Sequence, residues 1–237
     1  MNLFIASEVR SGSTYIAESL AYSFSSSYNV DFWDAGKELF SGLSDSSSDK
    51  DVLQILNGLG LNSAGMRSAK VMCASLSIIC REVEKNPMLN QTFFGDDARW
   101  IVIRRRNKIK QAVSLATAIA SNTWHFYGDT ESSPDKTASL TNEAIYEALK
   151  MIVISDDYLE NFSRMVVRSA VVYYEDFIDN ELSSLQWIIN TLDLPFNSLE
   201  LKLSPAKLKK TAQDRKAEAE NSFRRYFLEN YHRIENG

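Results

Sequence analysis

The chain has 237 residues, 44% hydrophobic and 11% aromatic, which is enough to bury one sizeable core and too apolar for a disordered scaffold. Nine Gly and four Pro exclude collagen-like and repeat-turn architectures, and two cysteines, Cys73 and Cys80, supply no disulfide framework. With 26 basic against 31 acidic residues the net charge is −5, which argues against nucleic acid or an anionic membrane as the main partner.

Leu3-Phe4-Ile5-Ala6 is a short apolar run that reads as a buried strand. It ends in a polar segment, Ser7 to Thr14, after which Ile16, Leu20 and Phe24 recur at helical spacing. Residues 25–49 are irregular and Ser-rich, and Ser48 with Asp51 three residues later caps a helix over 50–59. Ala69 to Cys73 reads as a second strand, followed by a helix over 75–86, and Arg99 to Ile103 as a third, followed by a helix over 108–121. Residues 127–139 form a polar loop, and Thr141 starts a long helix carrying Ile145, Leu149 and Ile152. Val166-Val167 and Ala170 to Tyr174 supply a fourth strand, a helix over 180–192 stops before Pro195, and a charged helical tail fills 206–234.

Strands separated by helices predict a single α/β domain spanning 1–237, with a central, mostly parallel sheet flanked by helices. In such sheets ligands bind beyond the carboxyl ends of the strands, here at residues 8–14 and 104–106. No run of about 18 uncharged apolar residues is present, so no membrane span is expected. The amino-terminal residues lack a basic segment and a long enough apolar run to act as a leader, so the expected location is the cytoplasm.

The positive charge is unevenly placed. Residues 104–110 hold five basic side chains and no acid, and residues 202–216 hold six with a single acid, Asp214. An acidic body with two basic islands suits a compact polyanion better than a long nucleic-acid backbone. A solvated helix face accounts equally well for the second island taken alone.

The loop Arg10-Ser11-Gly12-Ser13-Thr14 opens a helix, where unpaired backbone N–H groups and the helix dipole favour an anion. Gly12 permits close backbone approach, while the hydroxyls and Arg10 add donors. The Walker pattern with its Lys is absent, which disfavours a kinase or ordinary ATPase.

Together with Arg105 to Ser114, which carries Gln111-Ala112-Val113-Ser114, this loop resembles the bacterial sulfotransferase family typified by trehalose 2-sulfotransferase. Further segments that carry the resemblance are Ala69-Lys70-Val71-Met72, Trp124-His125, Tyr174-Glu175-Asp176, Thr211 to Arg215, and Arg225-Tyr226. The resemblance implies the P-loop-NTPase-like sulfotransferase fold and a reaction in which a sulfuryl group moves from 3′-phosphoadenosine 5′-phosphosulfate (PAPS) to a hydroxyl, leaving adenosine 3′,5′-bisphosphate (PAP), with no metal. Arg10, Ser11, Gly12, Ser13 and Thr14 would hold the 5′-phosphosulfate, and Tyr15 would lie near the base. Arg105 and Ser114 would hold the 3′-phosphate with Arg106 as a rival to Arg105, and Lys210 and Arg215 would belong to the closing basic segment.

Sulfuryl transfer, like phosphoryl transfer, depends on positioning and charge stabilisation. Arg10, which cannot give up a proton, would act as a clamp on the leaving phosphate, and Lys70 as a second cation. The family's base is a Glu followed by two aromatic residues; here Asp31-Phe32-Trp33 stands 21 positions after Arg10, which makes Asp31 the expected base. Asp34, Glu38 and His125 are alternatives, and Trp124 would offer a sugar platform. The expected acceptor is a small molecule, a sugar or glycolipid-type hydroxyl, and an extended helix or swapped segment over 25–66 would make a homodimer. A nucleotide-binding module that kept the fold without the chemistry is the alternative function.

Overall fold

The computed structural model describes residues 1–24, 32, 34–35, 48–59, 61, 65–122, 124, 140–196, 201–203 and 213–234. By contacts the chain divides into two compact units. The first comprises Met1–Arg104 with Ser155–Ser204, and the second comprises Arg105–Ile154 with Pro205–Gly237.

The first unit holds a five-stranded sheet of β1 (Asn2–Ser7), β2 (Asp34–Ala35), β3 (Arg67–Met72), β4 (Ala98–Arg104) and β5 (Ser169–Tyr173). Every pairing is parallel, in the order β2-β3-β1-β4-β5. The four expected strands are present, and the two-residue β2 is an addition. Strands in a sheet covered on both faces read as unbroken apolar runs, which is why Leu3 to Ala6 and Trp100 to Ile103 are fully buried.

Alternation along the strands separates two cores. Leu3, Ile5, Ile101, Ile103 and Val172 pack with Ile16, Leu20 and Phe24 of α1 (Ser13–Phe24) and with Phe177, Leu185 and Ile188. On the opposite face Phe4, Val71, Trp100 and Val102 pack with Val52 and Leu56 of α2 (Asp49–Gly58), Leu76 and Ile79 of α3 (Cys73–Glu82), and Leu89 and Phe93 of α4 (Pro87–Phe94). Trp100 seats against Phe4 and donates its indole N–H to the Phe93 carbonyl at 2.7 Å.

Local chemistry explains the boundaries. Ser48 and Asp51 form the expected reciprocal cap on α2, with Ser48 N–H donating to Asp51 at 2.8 Å. The helix expected over 75–86 is α3, which ends at Glu82, and α4 follows it as an addition. Asn86 caps α4 by accepting from the Met88 and Leu89 N–H groups, with Pro87 in the first turn. Tyr174, read as the end of a strand, opens the short helix α7 (Tyr174–Asp179), and β5 begins only at Ser169.

The second unit contains α5 (Lys108–Ser121) and α9 (Gln213–Ile234); the long helix α6 (Asn142–Met165) crosses the boundary at Ser155, and α8 (Glu181–Leu192) belongs to the first unit. Within the second unit α5 and α9 pack together, with Phe223 fully buried. Among the described residues no helix is long and apolar enough to cross a membrane.

Candidate active site

At the carboxyl end of β1 the chain makes a tight turn, Ser11 N–H donating to the Glu8 carbonyl, and then enters α1. Two residues of this turn have left-handed backbone, Arg10 at φ 59° and Gly12 at φ 89°. For Arg10 that conformation costs about 1–2 kcal/mol, strain of the kind that gathers at functional loops. Gly12 is required twice over, because a Cβ there would come within 2.1 Å of Tyr174 Cδ2 and 2.5 Å of Tyr174 Cε2.

The loop is thereby pressed against the aromatic ring that opens α7. Ser11 and Ser13 are buried, and among the described residues the Ser11 hydroxyl oxygen has no hydrogen-bond partner. A buried hydroxyl without a partner costs roughly 1–3 kcal/mol, so an orphan donor in a loop that starts a helix fits a bound anion.

Lys70 supplies the buried cation. It pairs with Ile5 across the sheet, shares the face covered by α1, and donates from Nζ to Thr14 Oγ1 at 3.1 Å. With the residue only 5% exposed, this side chain is held within the fold beside the loop. Tyr15, the next residue, sits edge-on to Phe177 with its hydroxyl donating to Glu181 Oε2 at 3.1 Å. Burial, reinforced by the Glu181 carboxylate, pushes the Tyr15 hydroxyl above its ordinary range.

Arg104, counted by sequence with the basic island at residues 104–110, is committed to structure. It lies on the opposite face of the sheet from Lys70, where its guanidinium donates to both oxygens of Asp156 at 3.0 and 2.6 Å and to Glu160 at 3.1 Å, and packs over the Tyr173 ring. The Asp156 hydrogen bonds hold it firmly protonated against the opposing effect of burial.

In the second unit Arg105 and Arg106 immediately precede Asn107, the N-cap of α5, and Ser114 is buried two turns into that helix. Arg106 is exposed and Arg105 half-buried. Asp31, Glu38, His125 and Lys210 lie outside the described residues. Asp34 stands in β2 in register with Lys70, and Arg215 lies on α9. Among the described residues no group of three His, Cys, Asp or Glu side chains is placed to hold a metal ion.

Sequence reasoning did not anticipate Tyr174 as the wall of the loop, because that contact joins residues 162 positions apart and leaves no local signal. The Arg104 partner did leave one. Asp156 recurs with Ile152, Leu159 and Phe162 on the buried stripe of α6, and a carboxylate among apolar neighbours implies a cation facing it.

The model of the Stf0 sulphotransferase family matches residues 3–226. The chain belongs to this family. A sulfotransferase, it is similar in structure to one from Alicyclobacillus acidocaldarius, with 15% identity, TM-score 0.47, and coverage of 94% of this chain and 90% of that one. It is also similar to mouse sulfotransferase SULT7A1 complexed with PAP, with 14% identity, TM-score 0.45, and coverage of 94% of this chain and 63% of that one. For a retinol dehydratase in complex with retinol and PAP the figures are 12% identity and TM-score 0.42, with 84% of this chain and 62% of that one covered. A search of curated proteins by sequence finds no match.

Proposed function

We propose that this sulfotransferase uses PAPS as its donor and sulfates a hydroxyl of a carbohydrate or another small molecule. The observation that carries the reading is the strained loop at residues 10–14, with Gly12 packed under Tyr174 and the buried Lys70 ammonium hydrogen-bonded to Thr14. This arrangement suits a compact anion and lacks the Walker lysine that a kinase requires.

When bound, PAPS supplies the sulfuryl group, which passes to the acceptor oxygen as PAP leaves. The protein's task is to gather cations and donors around the bond that breaks and a base beside the hydroxyl that attacks. In this reading Arg10 clamps the leaving 5′-phosphate and stays protonated throughout. Lys70 neutralises charge beside it, while Ser11, Ser13, Thr14 and the first N–H groups of α1 hold the remaining oxygens.

Arg105 and Ser114 are our candidates for the 3′-phosphate, with Arg106 as the rival in register and Lys210 and Arg215 as further cations. Asp31 is the proposed base. Tyr15 is proposed to border the purine, its ring fixed by Phe177 and Glu181. A cytoplasmic location suits a donor of this kind.

The test is transfer of labelled sulfate from PAPS to a panel of sugars and small hydroxylated metabolites, by the native chain and by Asp31→Asn. Transfer by the native chain and its loss in the variant are expected. Full activity in Asp31→Asn would remove that residue from the mechanism.

A further inference from the structure

Within the second unit, the Asn107 side chain ties the N-terminus of α5 to α9. Asn107 caps α5 through Oδ1, which accepts from the Lys110 N–H at 2.9 Å, and its backbone carbonyl accepts from Gln111 at 3.0 Å. Its side-chain nitrogen donates to Glu220 Oε1 at 3.1 Å, and Arg224 Nη2 donates to the same oxygen at 2.8 Å.

An Asn amide can present oxygen or nitrogen to a helix start, but only oxygen can accept from the first-turn N–H groups. Glu220 accepts only, so it fixes the nitrogen outward and the oxygen toward the helix. Arg105 and Arg106 are the two residues just before this cap, and the Arg106 carbonyl accepts from Lys108 N–H at 2.9 Å in the same turn. The two arginines therefore lead directly into the turn that Asn107 caps.

The local electrostatics support the same arrangement. Residues 105–110 bring four cations, Arg105, Arg106, Lys108 and Lys110, and no acid to a helix N-terminus, the end that the dipole makes unfavourable for positive charge. Burial disfavours the charged form of Glu220, but hydrogen bonds from Arg224 and Asn107 and the charge of Lys110 outweigh it, so its carboxyl titrates below the ordinary range.

We infer that Glu220 is a positioning residue for 3′-phosphate recognition, acting through Asn107 to orient the Arg105-Arg106 segment against Ser114. The inference rests on the PAPS reading above, and it assigns to α9 a role in nucleotide selection that is separate from any contact with the nucleotide.

The experiment is calorimetric titration of the full chain with PAP and with adenosine 5′-phosphate, which lacks the 3′-phosphate. The native chain should prefer PAP. Glu220→Ala should cut that preference about tenfold, the scale of one charge-assisted hydrogen bond, with the affinity for adenosine 5′-phosphate unchanged. Glu220→Gln, which keeps an oxygen to accept from Asn107, should retain most of the preference.

Asn107→Ser keeps a capping hydroxyl but loses the donor to Glu220, and it should repeat the Glu220→Ala result in a chain whose helix remains capped. A change confined to stability would mark Glu220 as merely structural and overturn the inference. So would a native preference retained in both Glu220→Ala and Asn107→Ser. Equal affinity of the native chain for the two nucleotides would overturn the donor reading itself, and the inference with it.

Discussion

The Tyr174 ring occupies the space in which any side chain at position 12 would have to begin, 2.1 Å from Cδ2, while Gly12 itself holds a φ of 89°. Two separate penalties therefore fall on Gly12→Ala. The left-handed backbone costs about 1 kcal/mol and the overlap with the ring a further 1–3 kcal/mol, unless the loop moves. Urea unfolding should show a loss of that size, and PAP should no longer stabilise the variant. In a double-mutant cycle Tyr174→Ala should recover the overlap part and leave the backbone part. Equal costs of Gly12→Ala with and without Tyr174 would show that the ring does not shape the loop.

Lys70 is nearly buried and contributes a charge that Met cannot, though Met matches its length and apolar stem. Lys70→Met should fold with little change in melting temperature. Its turnover should fall about 10²- to 10³-fold, the cost of removing one preorganised charge-stabilising donor. The measurement is the rate of PAP release with an acceptor found by the screen. Turnover within twofold of native would take Lys70 out of the site.

The Arg104–Asp156 pair, with side chains only 12% and 16% exposed, is a structural lock rather than a ligand. Asp156→Ala leaves a buried guanidinium with Glu160 as its remaining carboxylate partner in the described structure and should cost about 3 kcal/mol, the lower end for breaking a buried pair. Removing the cation as well, in Arg104→Met with Asp156→Ala, should recover much of that loss, because two apolar side chains leave no uncompensated charge. Chemical denaturation of the three variants checks both statements.

Cys73 begins α3, where a helix N-terminus would ordinarily favour a thiolate, yet burial and the nearby Glu8 carboxylate push its thiol up to about 11. Reaction with thiol reagents at neutral pH should therefore be slow in the folded chain and fast in denaturant. The folded state holds this proton more tightly than the unfolded chain, whose thiol titrates near 9.0. Its contribution to stability is thus complete below pH 9 and lost as the pH rises toward 11. Cys73→Ala should flatten that part of the stability–pH curve, and an unchanged curve would contradict the assignment.

The parallel sheet was legible because its strands are buried on both faces and therefore read as apolar runs ending at polar turns. The Ser48 cap was equally plain, since both partners lie within four residues. Asn86-Pro87 was a readable N-terminal signal for α4, an N-cap followed by Pro, that the helix reading ending at residue 86 passed over. The anion loop could be located but not its wall, because Gly12 and Tyr174 meet only after β5 is added at the sheet edge. Charge counting failed at Arg104 for a related reason: a run of cations in sequence shows where charge begins, and only the fold shows that Asp156, 52 residues away, neutralises one of them.

The most direct test of the PAPS reading is thermal unfolding of the full chain with PAP and, separately, with ATP and Mg²⁺. At a hundredfold excess over its dissociation constant PAP should add about 2.7 kcal/mol and raise the melting temperature by roughly 5–10 °C, with ATP and Mg²⁺ giving far less. A larger shift with ATP and Mg²⁺ than with PAP would contradict it.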